Sequence, residues 1–290
     1  MSFRDDLSRR ATDIGSALEA ELAVLGQDQI AEGMRYATGG GKRLRGFLVL
    51  ASAEVFEAPL QGHLIAATAI ECLHAYSLVH DDLPCMDDDD LRRGQPTVHR
   101  RWDEATAVLV GDALQTFAFD LLSRETVHDD PAVRLALIAS LARASGAKGM
   151  VLGQAQDIAA ESAGRDLTLD EITELQANKT GALIRWSAEA GAILGRAGPE
   201  PLRRYATALG LAFQIADDIL DETGDEAKAG KRLQKDADAG KATFVSLLGL
   251  DGARSRARGL VAEAEAALAP YGGRADPLRE AARFVISREF

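Results

Sequence analysis

Two aspartate clusters are the residues of this chain whose types and spacing point most directly to chemistry. His80-Asp81-Asp82-Leu83-Pro84-Cys85-Met86-Asp87 and Ala216-Asp217-Asp218-Ile219-Leu220-Asp221 each close a long apolar, helix-forming stretch. In the second, Gln214, Asp217, Asp218 and Asp221 stand at i, i+3, i+4 and i+7 and share one helical stripe. Ala212, Ile215, Ala216 and Ile219 form an apolar stripe of the same period, a pattern that a solvent-facing amphipathic helix also shows. Charge argues for more than that. Close carboxylates repel by ~4 kcal/mol per pair at 4 Å and an effective dielectric of 20 unless solvent or cations intervene. No Lys or Arg lies within a turn on either side.

The first cluster is the stretched version, because Pro84 ends the helix and leaves Asp81 and Asp82 at its tip while Asp87 returns after a short excursion. Hard carboxylate oxygens suit Mg2+, which takes one or two of them and completes its octahedron with water and substrate phosphate. A diphosphate substrate follows. His80 and Cys85 are too few nitrogen and sulfur donors for a zinc site. After Asp88, Asp89 and Asp90 come Arg92 and Arg93. A solvated charge run would look the same, but guanidinium forks also bind phosphate oxygens two at a time.

A second basic tract, Gly39-Gly40-Gly41-Lys42-Arg43-Leu44-Arg45, precedes a helix start, where backbone amides favour anions. Lys42 and Arg45, at i and i+3, face the same way. The tract lacks the spacing and the trailing Lys-Ser/Thr of a phosphate-binding P-loop. On the helix leading to Asp81, His74 and Ser77 share its stripe, with His74 ~10 Å below at 1.5 Å per residue. A histidine there is either a core residue with one hydrogen bond or a ligand contact. Lys179, Thr180, Lys231 and Lys241 are further polar candidates that no local pattern distinguishes from surface residues.

Helices must position all of these. Ala, Leu, Glu and Arg dominate with helical periodicity, and β-branched alternating runs are almost absent, so the chain reads as all-α. Helices are expected at about 3–24, 30–37, 44–56, 61–82, 101–124, 131–159, 168–195, 199–222, 241–248, 251–269 and 275–288. Short Gly, Pro or Asp breaks separate them, none with the character of a linker, so residues 1–290 are expected to form a single domain. A net charge of −12 disfavours nucleic acid and anionic lipid. No apolar run is expected to reach membrane-spanning length, and the N-terminus lacks a signal-peptide core, so a cytoplasmic location without stable membrane insertion is expected. Cys72 and Cys85 read as two reduced thiols.

Taken together, GGKRLRG at 40–46, ECLHAYSLVHDDLPCMDDDDLRRGQPTVH at 71–99, GDALQTFAF at 111–119, KTGALI at 179–184 and GLAFQIADDILDETGD at 210–225 resemble the short-chain trans-polyprenyl diphosphate synthases, specifically bacterial farnesyl diphosphate synthases. That resemblance implies an all-α isoprenoid synthase type helical bundle with a deep central cavity, the aspartate motifs facing each other across its mouth, and a homodimer. It implies Asp81, Asp87 and Asp217 as the main Mg2+ ligands, with Asp82, Asp218 and Asp221 supporting. Arg92, Lys179, Thr180, Gln214 and Lys231 would hold an allylic diphosphate, and Lys42, Arg45, His74 and Arg93 would hold isopentenyl diphosphate. Two departures stand out: Gly46 replaces the usual proline, leaving the first helical turn less preorganised, and Leu152-Gly153-Gln154 replaces Gly-Gly-Gln.

Product length depends on how far a growing chain descends. Tyr76, five residues before Asp81, resembles the aromatic floor of farnesyl-producing enzymes, although an aromatic there also suits plain helix packing; Ser77 is small enough to allow growth past C10. The competing readings are a geranylgeranyl diphosphate synthase, a terpene cyclase, which needs no second diphosphate set, and a noncatalytic synthase subunit.

Overall fold

The computed structural model describes residues 2–58, 60–161, 164–223 and 243–287. Its elements are α1 (Phe3–Ala23), α2 (Gln29–Ala37), α3 (Leu44–Val55), α4 (Leu60–Asp81), a two-residue hairpin of β1 (Leu91–Arg92) and β2 (Gln95–Pro96), α5 (Val98–Arg101), α6 (Glu104–Ser123), α7 (Pro131–Ser145), α8 (Met150–Glu161), α9 (Leu169–Gln176), α10 (Ala182–Leu194), α11 (Glu200–Thr223), α12 (Phe244–Ala267) and α13 (Asp276–Ile286). The all-α expectation holds, with the hairpin as a small addition.

Boundaries differ from expectation where caps and glycines act. The helix expected over 101–124 starts at Glu104, because the Asp103 side chain accepts the Thr106 amide at 2.7 Å and caps it. The one expected over 131–159 breaks at the Gly146–Gly149 turn into α7 and α8. The break expected between 248 and 251 is present, since Gly249 (φ 70°, ψ 160°) is non-helical and divides α12 into two segments. The run 168–195 is continuous but contains a π-helical turn, Ala177–Gly181, which carries Lys179 and Thr180.

Two apolar clusters make up the interior. One joins α1, α2, α4, α6 and α7; the other joins α11, α12 and α13. Helices α3 and α10 belong to both: Val49, Leu50 and Trp186 face the first, and Phe47, Leu48, Ile184 and Ala188 the second. A helix sandwiched on both sides has no polar face to show, which is why these two read as apolar all round.

The expectation about membrane-spanning length needs correcting. Glu104–Ser123 and Pro131–Ala160 are long and apolar enough on length and composition. In the fold, half of the first is buried against other helices, and the second is interrupted by the turn between α7 and α8.

Candidate active site

Helix α4 carries the first aspartates on a stripe that begins well below them. Glu71, His74, Ala75, Leu78, Val79 and Asp82 all line one cavity of about 750 Å³. The Gly39–Arg45 tract, Arg92, Arg93 and Phe213 of α11 line the same cavity. Backbone bonds fold the Pro84 excursion back over the tip of α4: the Asp87 amide donates to the Asp81 carbonyl at 2.8 Å and the Asp89 amide to that of Asp82 at 3.3 Å. The stretched motif is thereby drawn into one acidic mouth.

Burial raises the Asp81 carboxyl to about 6; Lys179 and Arg92 pull it down, and Asp87 and Asp82 push it up. Asp82 is buried and its carboxyl is also raised by desolvation, against the pull of Arg92, whose Nε lies 2.8 Å from both of its oxygens. The hairpin β1–β2 turns Arg92 and Arg93 back onto the cavity, and Arg93 Nη1 donates to the Gly39 carbonyl at 2.8 Å.

On α11, the polar stripe does not face solvent. Gln214, Asp217, Asp218 and Asp221 are half-buried, while Ala212 and Ile215 are buried in the second apolar cluster with Ala216 and Ile219 packed against it. Asp217 acts electrostatically on Arg45, which connects α11 to the basic tract. Asp218 spends Oδ2 on the Phe244 amide at 2.7 Å, so it also anchors the start of α12. Lys179, in the π-turn, is half-buried with its Nζ 2.6 Å from Asp157 of α8, and Thr180 follows it, half-buried.

Arg45 Nη1 lies 3.2 Å from His74 Nε2. A guanidinium only donates, so His74 accepts through Nε2 and carries its proton on Nδ1. Burial and the charges of Arg45, Arg93, Arg92 and Arg43 hold His74 well below the usual histidine range, hence neutral. Arg45 Nε is buried without a partner, a donor left for an anion. Lys42, which is exposed, lines the same cavity. Lys231 and Lys241 lie outside the described residues.

Tyr76 is buried and edge-on to His80 at 5.2 Å. Ser77 bonds back to the His74 carbonyl at 2.9 Å. Neither lines the 750 Å³ cavity.

Glu71 also belongs to the neighbourhood, and the signal for it is its place three residues before His74 on the same stripe. The two departures also find their reasons. The Gly46 amide donates to Glu71 Oε1 at 2.8 Å, a bond no proline could make, so α3 begins anchored by another route. Of the Leu152-Gly153 pair, Gly153 is the demanding position: a Cβ there would sit 2.1 Å from the Lys179 amide nitrogen.

The donor set fits Mg2+. Asp81, its carboxyl raised chiefly by burial and further by Asp87 and Asp82, offers hard oxygen donors that a cation would stabilise, yet among the described residues no three His, Cys, Asp or Glu side chains converge into a ready-made metal cage. That is the condition in which Mg2+ is completed by phosphate.

The family model described as "Polyprenyl synthetase" matches residues 27–267. The chain is 46% identical over 279 residues to a farnesyl diphosphate synthase of Escherichia coli, covering 92% of each, and 43% identical to one of Haemophilus influenzae, covering 99% of each. It is also 39% identical to a chloroplastic geranylgeranyl pyrophosphate synthase of Capsicum annuum, over 99% of this chain and 79% of that one. Among solved structures it superposes on the apo structure of a FPP/GFPP synthase from Zymomonas mobilis with a TM-score of 0.89, at 49% identity and 98% and 99% coverage. With the family model matching residues 27–267 and this similarity over nearly its whole length, the chain belongs to the polyprenyl synthetase family.

Proposed function

We propose that this protein condenses isopentenyl diphosphate head-to-tail with dimethylallyl and then geranyl diphosphate, giving farnesyl diphosphate and pyrophosphate. The observation that carries this reading is the second diphosphate set: Lys42, Arg45, His74 and Arg93 share one cavity wall system with Asp82 and Arg92. A terpene cyclase has no use for such a set beside its aspartates, and a noncatalytic subunit has no use for either.

Asp81, Asp82, Asp87, Asp217, Asp218 and Asp221 are the residues that would hold Mg2+, which when bound neutralises diphosphate oxygens and eases departure of pyrophosphate. Arg92, Lys179, Thr180, Gln214, Lys231 and Lys241 are assigned to the allylic diphosphate and to its charge as it leaves. Neutral His74 fixes Arg45 beside isopentenyl diphosphate, whose double bond attacks the allylic carbon as its C–O bond breaks. The proton lost from the new chain passes to the departing pyrophosphate. Apolar walls keep water from the cation.

The same reading treats residues 1–290 as one domain, since α3 and α10 serve both apolar clusters. A cytoplasmic homodimer goes with it, because α6 exposes Val108 and Leu109 and α8 exposes Val151, Leu152 and Ile158. Neither nucleic acid nor stable membrane insertion has a place in it. A second, longer-product reading is kept because relatives include geranylgeranyl and FPP/GFPP synthases. Product analysis with labelled isopentenyl diphosphate, dimethylallyl diphosphate and Mg2+ decides. A C15 product that lengthens in Tyr76→Ala supports the farnesyl assignment and its floor, a C20 product from the parent overturns the length, and no incorporation overturns prenyl transfer.

A further inference from the structure

A carboxylate in the wall of an anion-binding cavity works against the ligand. Glu71 is only 3% exposed, yet it lines the cavity among Lys42, Arg45, His74 and Arg93. Helix α3 starts awkwardly above it: its N-cap is Arg43, whose left-handed backbone (φ 52°) brings no side-chain cap. The first turn therefore has an orphan donor at Gly46, in the third helical position. Glu71 Oε1 takes that N–H at 2.8 Å, while Oε2 lies 3.6 Å from buried Arg43. Gly46 has no side chain to block the approach, since a Cβ there would sit 3.3 Å from Glu71 Cγ and 2.7 Å from Ile14 Cδ1. One residue of α4 thus caps α3 from outside and sets the first turn, which holds Arg45, against the helix that holds His74 and the aspartates.

We propose that Glu71 is a positioning residue for the homoallylic diphosphate: through the Gly46 amide it sets the distance between Arg45 and His74, and so places the unpartnered Arg45 Nε for the phosphate. Its reach, through Oε1, sets that distance, while Oε2 keeps its charge beside buried Arg43. This inference rests on the prenyl-transfer reading and deepens it.

Two variants separate reach from charge. Glu71→Gln keeps the length and an acceptor for the Gly46 amide but loses the charge; Glu71→Asp keeps the charge but falls one methylene short. Steady-state kinetics vary each substrate in turn, and calorimetry measures isopentenyl diphosphate binding directly. Glu71→Asp is expected to raise the KM and Kd for isopentenyl diphosphate about fivefold or more, because the shortened side chain releases the Gly46 amide and lets Arg45 shift from the phosphate. The KM for geranyl diphosphate stays within about twofold, and Glu71→Gln, which keeps the reach but leaves Arg43 without its carboxylate, raises the isopentenyl diphosphate KM less than Glu71→Asp does. The reverse order, or isopentenyl and allylic KM values rising together, overturns the proposal. If the parent incorporates no isopentenyl unit at all, it is the prenyl-transfer reading that has failed; the calorimetric comparison still shows whether Glu71 controls binding of that diphosphate.

Discussion

Substitution of Gly153 by alanine tests the geometry of the site at one well-defined contact. The added Cβ would meet the Lys179 amide nitrogen at 2.1 Å, the Lys179 Cα at 2.4 Å and the Asn178 carbonyl carbon at 2.7 Å. All three are backbone atoms, so no side chain can swing aside. Restoring ordinary contact at 3.4 Å requires α8 and the π-turn to part by about 1.3 Å, the difference between 3.4 and 2.1 Å. Overpacking of this kind costs about 1–3 kcal/mol, which in a chain of this size lowers Tm by roughly 2–4 °C for each kcal/mol. The displaced segment carries Lys179, whose Nζ reaches Asp157 at 2.6 Å and whose charge acts on Asp81. A misplacement of about 1 Å at a positioning group can reduce turnover by about a hundredfold. Thermal unfolding and the initial rate of labelled isopentenyl incorporation are measured on the same preparation. Unchanged Tm and unchanged turnover in Gly153→Ala would refute the argument that α8 and the π-turn are packed through this glycine.

Arg92→Lys replaces a planar fork that grips both oxygens of Asp82 with a point charge, so turnover should fall at least tenfold, with a modest loss of stability of about 1 kcal/mol because Arg92 is 32% exposed. Circular dichroism with the kinetic assay separates the two effects. His74 is held neutral by burial and by Arg45, Arg93, Arg92 and Arg43, so its folded pKa lies below its unfolded one. Its contribution to stability is complete above pH ~6.5 and is lost as pH falls toward the folded value, by at most about 1.4 kcal/mol per pH unit; urea titrations of parent and His74→Gln should show the slope in the parent and its loss in the variant. Removal of divalent cations by chelation should abolish turnover, and added Mg2+ should restore it. Because no three described ligands converge, Mg2+ with pyrophosphate should raise Tm well beyond Mg2+ alone, and equal shifts would count against that reading.

The sequence by itself determined what depends on local rules. Helical periodicity specified an all-α chain, and spacing put Gln214, Asp217, Asp218 and Asp221 on one stripe and Asp81 and Asp82 at a helix tip. Those preferences act within a turn or two. Cap chemistry is just as local: the Asp103 cap and the Gly146–Gly149 break are carried by the residues themselves, inside long apolar runs whose periodicity masks them. The tertiary structure alone decided whether the aspartate stripe of α11 faces water or the interior, because an amphipathic pattern is the same for both and only packing against α12 and α10 distinguishes them. It also decided which charges matter. Asp157 and Lys179 are 22 residues apart, Gly46 and Glu71 are 25, and Arg45 and His74 are 29. Contacts at such separations depend on how whole helices cross, so the presence of a diphosphate site was legible in the residues, whereas the partners that hold its arginines, lysine and histidine in place were not.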